Sequence, residues 1–133
     1  MMKNKIKKLL QNFMREEETD EISATFTFPE SFTGFKGHFP GESILPGVCQ
    51  IEMVIALSET YYKEELKLLS LSRAKFLNVV KPNDKVKVTG VCSRNGNIIS
   101  GKFKLTKTEN DTTVNISRIS LKQTIYHPDK QKA

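Results

Sequence analysis

The stretch Pro46-Gly47-Val48-Cys49-Gln50-Ile51-Glu52-Met53-Val54-Ile55-Ala56-Leu57-Ser58-Glu59-Thr60-Tyr61-Tyr62 decides the fold. Val48, Ile51, Val54, Ile55, Leu57 and Tyr61 are spaced to cover most of a helix circumference. A helix over 47–62 that is apolar nearly all round must be largely buried. Pro46 suits its first turn, where a missing N–H costs nothing. Ser58, Glu59 and Tyr62 mark its wetter end. One such helix in a small chain needs something wrapped around it.

The rest of the chain supplies the wrapping. Ile22, Ala24, Phe26 and Phe28 alternate with Ser23, Thr25 and Thr27, a half-buried strand ended by Pro29. Residues 29–47 form a Gly- and Pro-rich loop carrying Phe32, Phe35 and Phe39. Strands are expected over Leu66–Val80, Lys85–Ser93, Ile98–Lys107 and Thr112–Gln123. Pro82-Asn83-Asp84, Asn95-Gly96 and Glu109-Asn110-Asp111 separate them as turns. The alternation slips near Ser117-Arg118, which marks a bulge. Ile6, Leu9, Leu10, Phe13 and Met14 make one apolar stripe, so residues 1–18 read as an amphipathic helix docked on the domain. A membrane-surface anchor fits this segment less well, because Glu16-Glu17-Glu18 follows it. Residues 124–133 read as a loose polar tail. The expected architecture is α+β: a single domain over 1–133, with about five antiparallel strands curved around one long central helix.

Composition bounds the function. The chain has 133 residues, 38% of them hydrophobic, enough for one core. The net charge is +6, but it is unevenly spread. Residues 1–65 hold 7 basic and 11 acidic side chains, a net of −4, and residues 66–133 carry +10. Basic character of this kind suits nucleic acid, an anionic surface or an acidic protein. Lys85, Lys87, Lys102 and Lys104 alternate with inward residues, and Phe103 points inward with them, so the aromatic interleaving of an RNA-binding sheet is missing. Cys49 and Cys92 form no Cys-x-x-Cys pair, and His38 and His127 are too scattered for a metal site. No apolar run approaches a membrane span and no signal-peptide pattern follows the N-terminal lysines. A cytoplasmic protein is expected.

Three features could carry chemistry. Glu52 interrupts an apolar face, with Val48 and Ile55 beside it; burial should raise its pKa and favour the protonated acid. A side chain reaching a gap or a buried partner would explain it equally well on spacing alone. His38 sits in Gly37-His38-Phe39-Pro40, a loop shaped by Gly37 and Pro40, with a titration range near neutrality suited to acid–base work; a plain surface residue is the alternative. Pro46-Gly47-Val48 places free N–H groups at a helix start, which can hold a developing oxyanion or simply begin a helix.

Together these residues form a larger pattern. Gly37-His38-Phe39-Pro40-Gly41-Glu42-Ser43-Ile44-Leu45-Pro46-Gly47-Val48-Cys49-Gln50-Ile51-Glu52 closely resembles the active-site segment of the 3-hydroxyacyl-acyl-carrier-protein dehydratases. The 14-residue separation of His38 and Glu52 and the Pro-Gly-Val placement both match. Arg73-Ala74-Lys75-Phe76 and Val80-Lys81-Pro82-Asn83-Asp84 resemble a later strand and turn of that family, so the likeness extends over roughly 20–123. The resemblance implies a hotdog fold and a homodimer, with a trimer of dimers as the next order of assembly. It implies His38 as base and Glu52 as acid in the loss of water from a 3-hydroxyacyl thioester, with each site shared between two chains. Gly47 and Val48 would hold the thioester. Phe39, Pro40, Ile51 and Ile55 would line an acyl tunnel. The substrate would ride on the phosphopantetheine of an acyl carrier protein, an acidic partner for the basic half, docked by Lys36, Arg73, Lys75 and Lys81. No metal, redox cofactor, nucleic acid or membrane is implied.

The chain departs from that pattern at Ala56, where the family usually has Gln, and at Glu42-Ser43. These departures suit a specialised polyene or pigment pathway as well as fatty-acid synthesis. A hotdog thioesterase and a non-catalytic acyl-binding subunit are the competing readings.

Overall fold

The computed structural model describes residues 2–35 and 43–127. Two helices, α1 (Met2–Lys7) and α2 (Gly47–Tyr62), accompany six strands. These are β1 (Leu10–Arg15), β2 (Ile22–Thr27), β3 (Leu66–Phe76), β4 (Lys85–Asn95), β5 (Ile98–Glu109) and β6 (Thr112–Ile125). They form one antiparallel sheet in the order β1-β2-β4-β5-β6-β3.

The sheet curls around α2, a helix of 16 residues with the bounds its sequence predicts. Met53, Val54, Ile55, Ala56 and Leu57 are all buried, as expected of a helix with no single polar face. Lys63 ends it in the left-handed conformation (φ 56°), its N–H donating to the Glu59 carbonyl at 2.8 Å. Inward residues of the sheet complete the core: Ile22, Ala24 and Phe26 from β2, Val86 and Val88 from β4, Phe103 and Leu105 from β5, Ile116 and Ile119 from β6. A second cluster of Ile55, Leu66, Ile99 and Ile125 lies toward the other end.

The N-terminal helix is much shorter than the 1–18 expected. α1 stops at Lys7, and Leu10–Arg15 is a strand paired with β2. Ile6, Leu9 and Leu10 pack on the core as their spacing requires, but Met14 is 63% exposed. The free edge of β2 offers backbone hydrogen bonds that outweigh a weak local helix preference, and Asn12, in the left-handed region (φ 55°), breaks any helical continuation. The sheet therefore has six strands, not five.

The turns follow their residues. Asn110 and Asp111 both have positive φ, as a two-residue type I′ hairpin demands. In the β4–β5 hairpin the loop is Gly96-Asn97, one residue later than the Asn95-Gly96 reading, with positive φ at Gly96. The β6 irregularity falls at Ile116, where Leu105 pairs with Ser117 and Thr106 with Asn115. β6 continues to a buried Ile125, so the expected tail boundary at 124 is too early; residues 128–133 lie outside the described residues.

β3 is a sheet edge with an unusual inner face. Residues paired across a sheet share a side, so Leu68, Leu71 and Phe76 face inward with their buried partners Gln123, Leu121 and Ser117. Yet all three are more than 40% exposed, although α2 reaches Leu66 at one end of the strand and, through Gly47, Phe76 at the other.

Candidate active site at the start of helix α2

The start of α2 is held from outside. Leu45 N–H donates to the Val80 carbonyl at 2.9 Å, and Cys49 N–H to the Pro46 carbonyl at 3.0 Å. Pro46 is extended (φ −62°, ψ 152°) and offers no side-chain cap. Gly47 and Val48 make no backbone hydrogen bond as donors outside the helix among the described residues, which is the condition for an exposed anion-holding terminus. Val48 is exposed. The ring of Phe76 lies directly on Gly47; a Cβ built there would be 2.8 Å from Phe76 Cζ.

Glu52 follows five residues later and is half-buried. Burial raises its carboxyl above the ordinary value; the charge of Lys3 lowers it and that of Glu59 raises it further. The direction agrees with the sequence argument. Cys49, one turn before Glu52, has its thiol pushed up by burial and then by the charge of Glu52, which disfavours a thiolate nucleophile.

Around this pair the helix is pinned by polar contacts that sequence reading missed. Glu59 is 3% exposed and accepts from Lys3 Nζ at 3.0 Å, Lys7 Nζ at 3.4 Å and the Leu66 N–H at 2.8 Å. Ser117 Oγ donates to Gln50 Oε1 at 2.7 Å, and Gln123 Nε2 to Ser58 Oγ at 3.0 Å. Thus α2 is tied to β6 near both ends. Their one sequence signal was polarity at inward positions of β6 and α2. Cys92 lies beside Ser58; burial pushes its thiol up to about 11.

Other expected residues are distributed as follows. His38, Phe39, Pro40 and Lys36 lie outside the described residues. Ile51 is partly buried and Ile55 buried, both against the second cluster. Ala56 is fully buried in the main core. Arg73 and Lys75 are exposed on the outer sheet face, and Lys81 is exposed in the β3–β4 connection. Among the described residues both cysteines are free and no group of three metal-ligating side chains occurs. No described helix is long and apolar enough to cross a membrane.

A family model described as ApeI dehydratase, ApeI-like, matches residues 14–117. The chain belongs to the ApeI-like dehydratase family. Its similarity to curated proteins points the same way. It is 40% identical over 74 residues to the 3-hydroxyacyl-[acyl-carrier-protein] dehydratase FabZ of Levilactobacillus brevis, covering 50% of this chain and 49% of that one. It is 35% identical over 78 residues to the FabZ of Lactiplantibacillus plantarum, covering 53% and 52%. The chain spans about half the length of the curated relatives it matches. Among solved structures, the dehydratase heterocomplex ApeI:P from Xenorhabdus doucetiae matches with a TM-score of 0.70 at 18% identity, over 86% of this chain and 96% of that chain. A hypothetical thioesterase from Streptococcus pneumoniae solved with coenzyme A matches with a TM-score of 0.63 at 14% identity, over 88% and 84%. These likenesses establish the hotdog fold. The central helix of this fold is 16 residues long in the ApeI-like chain.

Proposed function

We propose that this ApeI-like chain removes water from 3-hydroxyacyl thioesters carried on an acyl carrier protein, giving trans-2-enoyl thioesters. One observation carries the reading. A single helix offers amides at Gly47 and Val48 that have no backbone acceptor outside the helix among the described residues and, five residues on from Gly47, a half-buried carboxyl biased toward its protonated form. His38 takes the α-proton. The developing enolate oxygen is held by the Gly47 and Val48 N–H groups. Glu52 gives its proton to the departing hydroxyl; the C–O bond breaks, the double bond forms and water leaves. Phe39, Pro40, Ile51 and Ile55 line the acyl tunnel. No metal or redox cofactor takes part.

The working unit is a homodimer built across β3. Its inward Leu68, Leu71 and Phe76 are exposed on a single chain, and a second copy adding its own edge would cover them. The acidic carrier docks on the outer sheet face. Lys75, Arg118 and Lys104 lie in one cross-strand row, and Arg73 and Lys102 flank Ser120 in the next. Arg73, Lys102, Lys104 and Arg118 line a shallow groove, and none of the five cations makes an ion pair among the described residues. Lys36 and Lys81 complete the docking set. Ala56 suits a specialised polyene or pigment pathway as the source of the substrate.

The deciding assay supplies 3-hydroxyacyl carrier proteins of graded chain length and follows enoyl formation. The likeness to a thioesterase structure supports a second reading, hydrolysis of the thioester. Release of free thiol without enoyl product in the same assay would favour it. Tight acyl binding with neither product would mark a non-catalytic subunit.

A further inference from the structure

Lys107 is a lysine where the sheet calls for an apolar residue. It follows Phe103 and Leu105 on the inner face of β5 and is 6% exposed. Burying an ammonium costs desolvation and rotamer freedom, so its partners need explaining. Nζ donates to the Val79 carbonyl at 2.8 Å, to Asp84 Oδ2 at 2.9 Å and to Glu109 Oε1 at 2.8 Å. Three acceptors meet three N–H donors. Burial alone would lower this ammonium, but hydrogen bonds to Glu109 and Asp84 and their charges outweigh it and hold it above the ordinary lysine value.

Two of those acceptors belong to the β3–β4 connection, residues 77–84. The segment from Phe76 through this connection touches the helix start twice. Phe76, just before it, rests on Gly47. Val80, the residue after the clamped Val79, gives its carbonyl to Leu45, two residues before Gly47. The connection is fixed at one end by Leu77 and Asn78, whose N–H groups share the Ile116 carbonyl at 2.7 and 3.1 Å. Asn83 N–H anchors it to the Phe28 carbonyl at 2.8 Å, and Asp84 also accepts from Lys81 N–H at 2.9 Å. Among the described residues, Lys107 is the side chain that grips its middle.

We propose that Lys107 is a positioning residue for the reaction: through Val79 and Val80 it fixes where the Gly47 and Val48 amides and the Phe76 ring stand against the thioester. The inference rests on the dehydratase reading for its kinetic part. Misplacing a reacting group by an ångström costs about 100-fold in rate, so a grip exerted through the Val79–Val80 backbone can matter without touching substrate.

The test uses the full chain with Lys107→Gln and Lys107→Arg. For Lys107→Gln, kcat on a carrier-bound 3-hydroxyacyl substrate falls about 10- to 100-fold, KM changes by less than about threefold, and the pH limb set by Glu52 stays in place. Lys107→Arg recovers most of the loss. Amide exchange over residues 45–50 speeds about 10-fold in Lys107→Gln while residues 54–60 exchange as in the wild type. A folded Lys107→Gln protein with unchanged exchange at 45–50 overturns the inference, whatever its kcat or thermal stability. If Lys107→Gln fails to fold, Asp84→Asn is measured the same way; faster exchange at 45–50 supports the inference and wild-type exchange overturns it. A wild-type protein that dehydrates nothing defeats the dehydratase reading, and the exchange measurement still decides the positioning role.

Discussion

The ring of Phe76 occupies the space a side chain at Gly47 would need, 2.8 Å from a Cβ built there. The glycine therefore leaves room for a neighbour on β3. Phe76 is 46% exposed, so its far edge can swing away at modest cost.

Gly47→Ala follows directly. An alanine gains up to about 1 kcal/mol in helix preference, and displacing a half-exposed ring costs a similar amount. The thermal midpoint should therefore move by no more than a few degrees. Turnover should fall about 10- to 100-fold, since the displaced ring disturbs the amides proposed to hold the thioester. Parallel calorimetry and steady-state kinetics check the separation of the two effects.

Glu52 gives a pH signature. Its carboxyl stands above the ordinary 4.5 because of burial. The native state therefore holds that proton more tightly than the unfolded chain. The associated stability is fully present below the unfolded value and is lost as pH rises through the native one. Denaturant titrations of wild type and Glu52→Gln should show the wild type losing ground to the variant from about pH 4.5 upward.

Glu59→Ala removes the acceptor of the Leu66 N–H and of two lysines. Lys3 and Lys7 reach water, but the Leu66 amide is buried. The expected cost is about 1–3 kcal/mol from that amide, read as a lowered midpoint in urea.

Leu71→Arg places a charge on the inner face of the β3 edge. If the chain dimerises across β3 as proposed, light scattering should show a dimer for the wild type and a folded monomer for this variant. A wild-type chain that is monomeric at micromolar concentration would contradict the shared-site arrangement.

Much of this was legible in sequence. The apolar circumference of 47–62 and the alternation of β2, β4 and β5 come from periodicities that one-dimensional reading detects. β1 was not legible. Ile6 to Met14 satisfies helical spacing, and only the open edge of β2 makes a strand the better solution. Glu52 stood out because a carboxylate on an apolar face is conspicuous. Lys107 did not, because a lysine in a lysine-rich strand looks like a solvated one until its inward register and its three acceptors are seen. The contact of Phe76 with Gly47 joins residues 29 positions apart and follows no local pattern.

The most direct test is the turnover of purified Glu52→Gln on a 3-hydroxyacyl carrier protein. With the amide unable to deliver a proton, enoyl formation should fall about 10²- to 10⁴-fold while the protein stays folded. Full turnover by the folded variant would contradict the assignment of Glu52 as the acid.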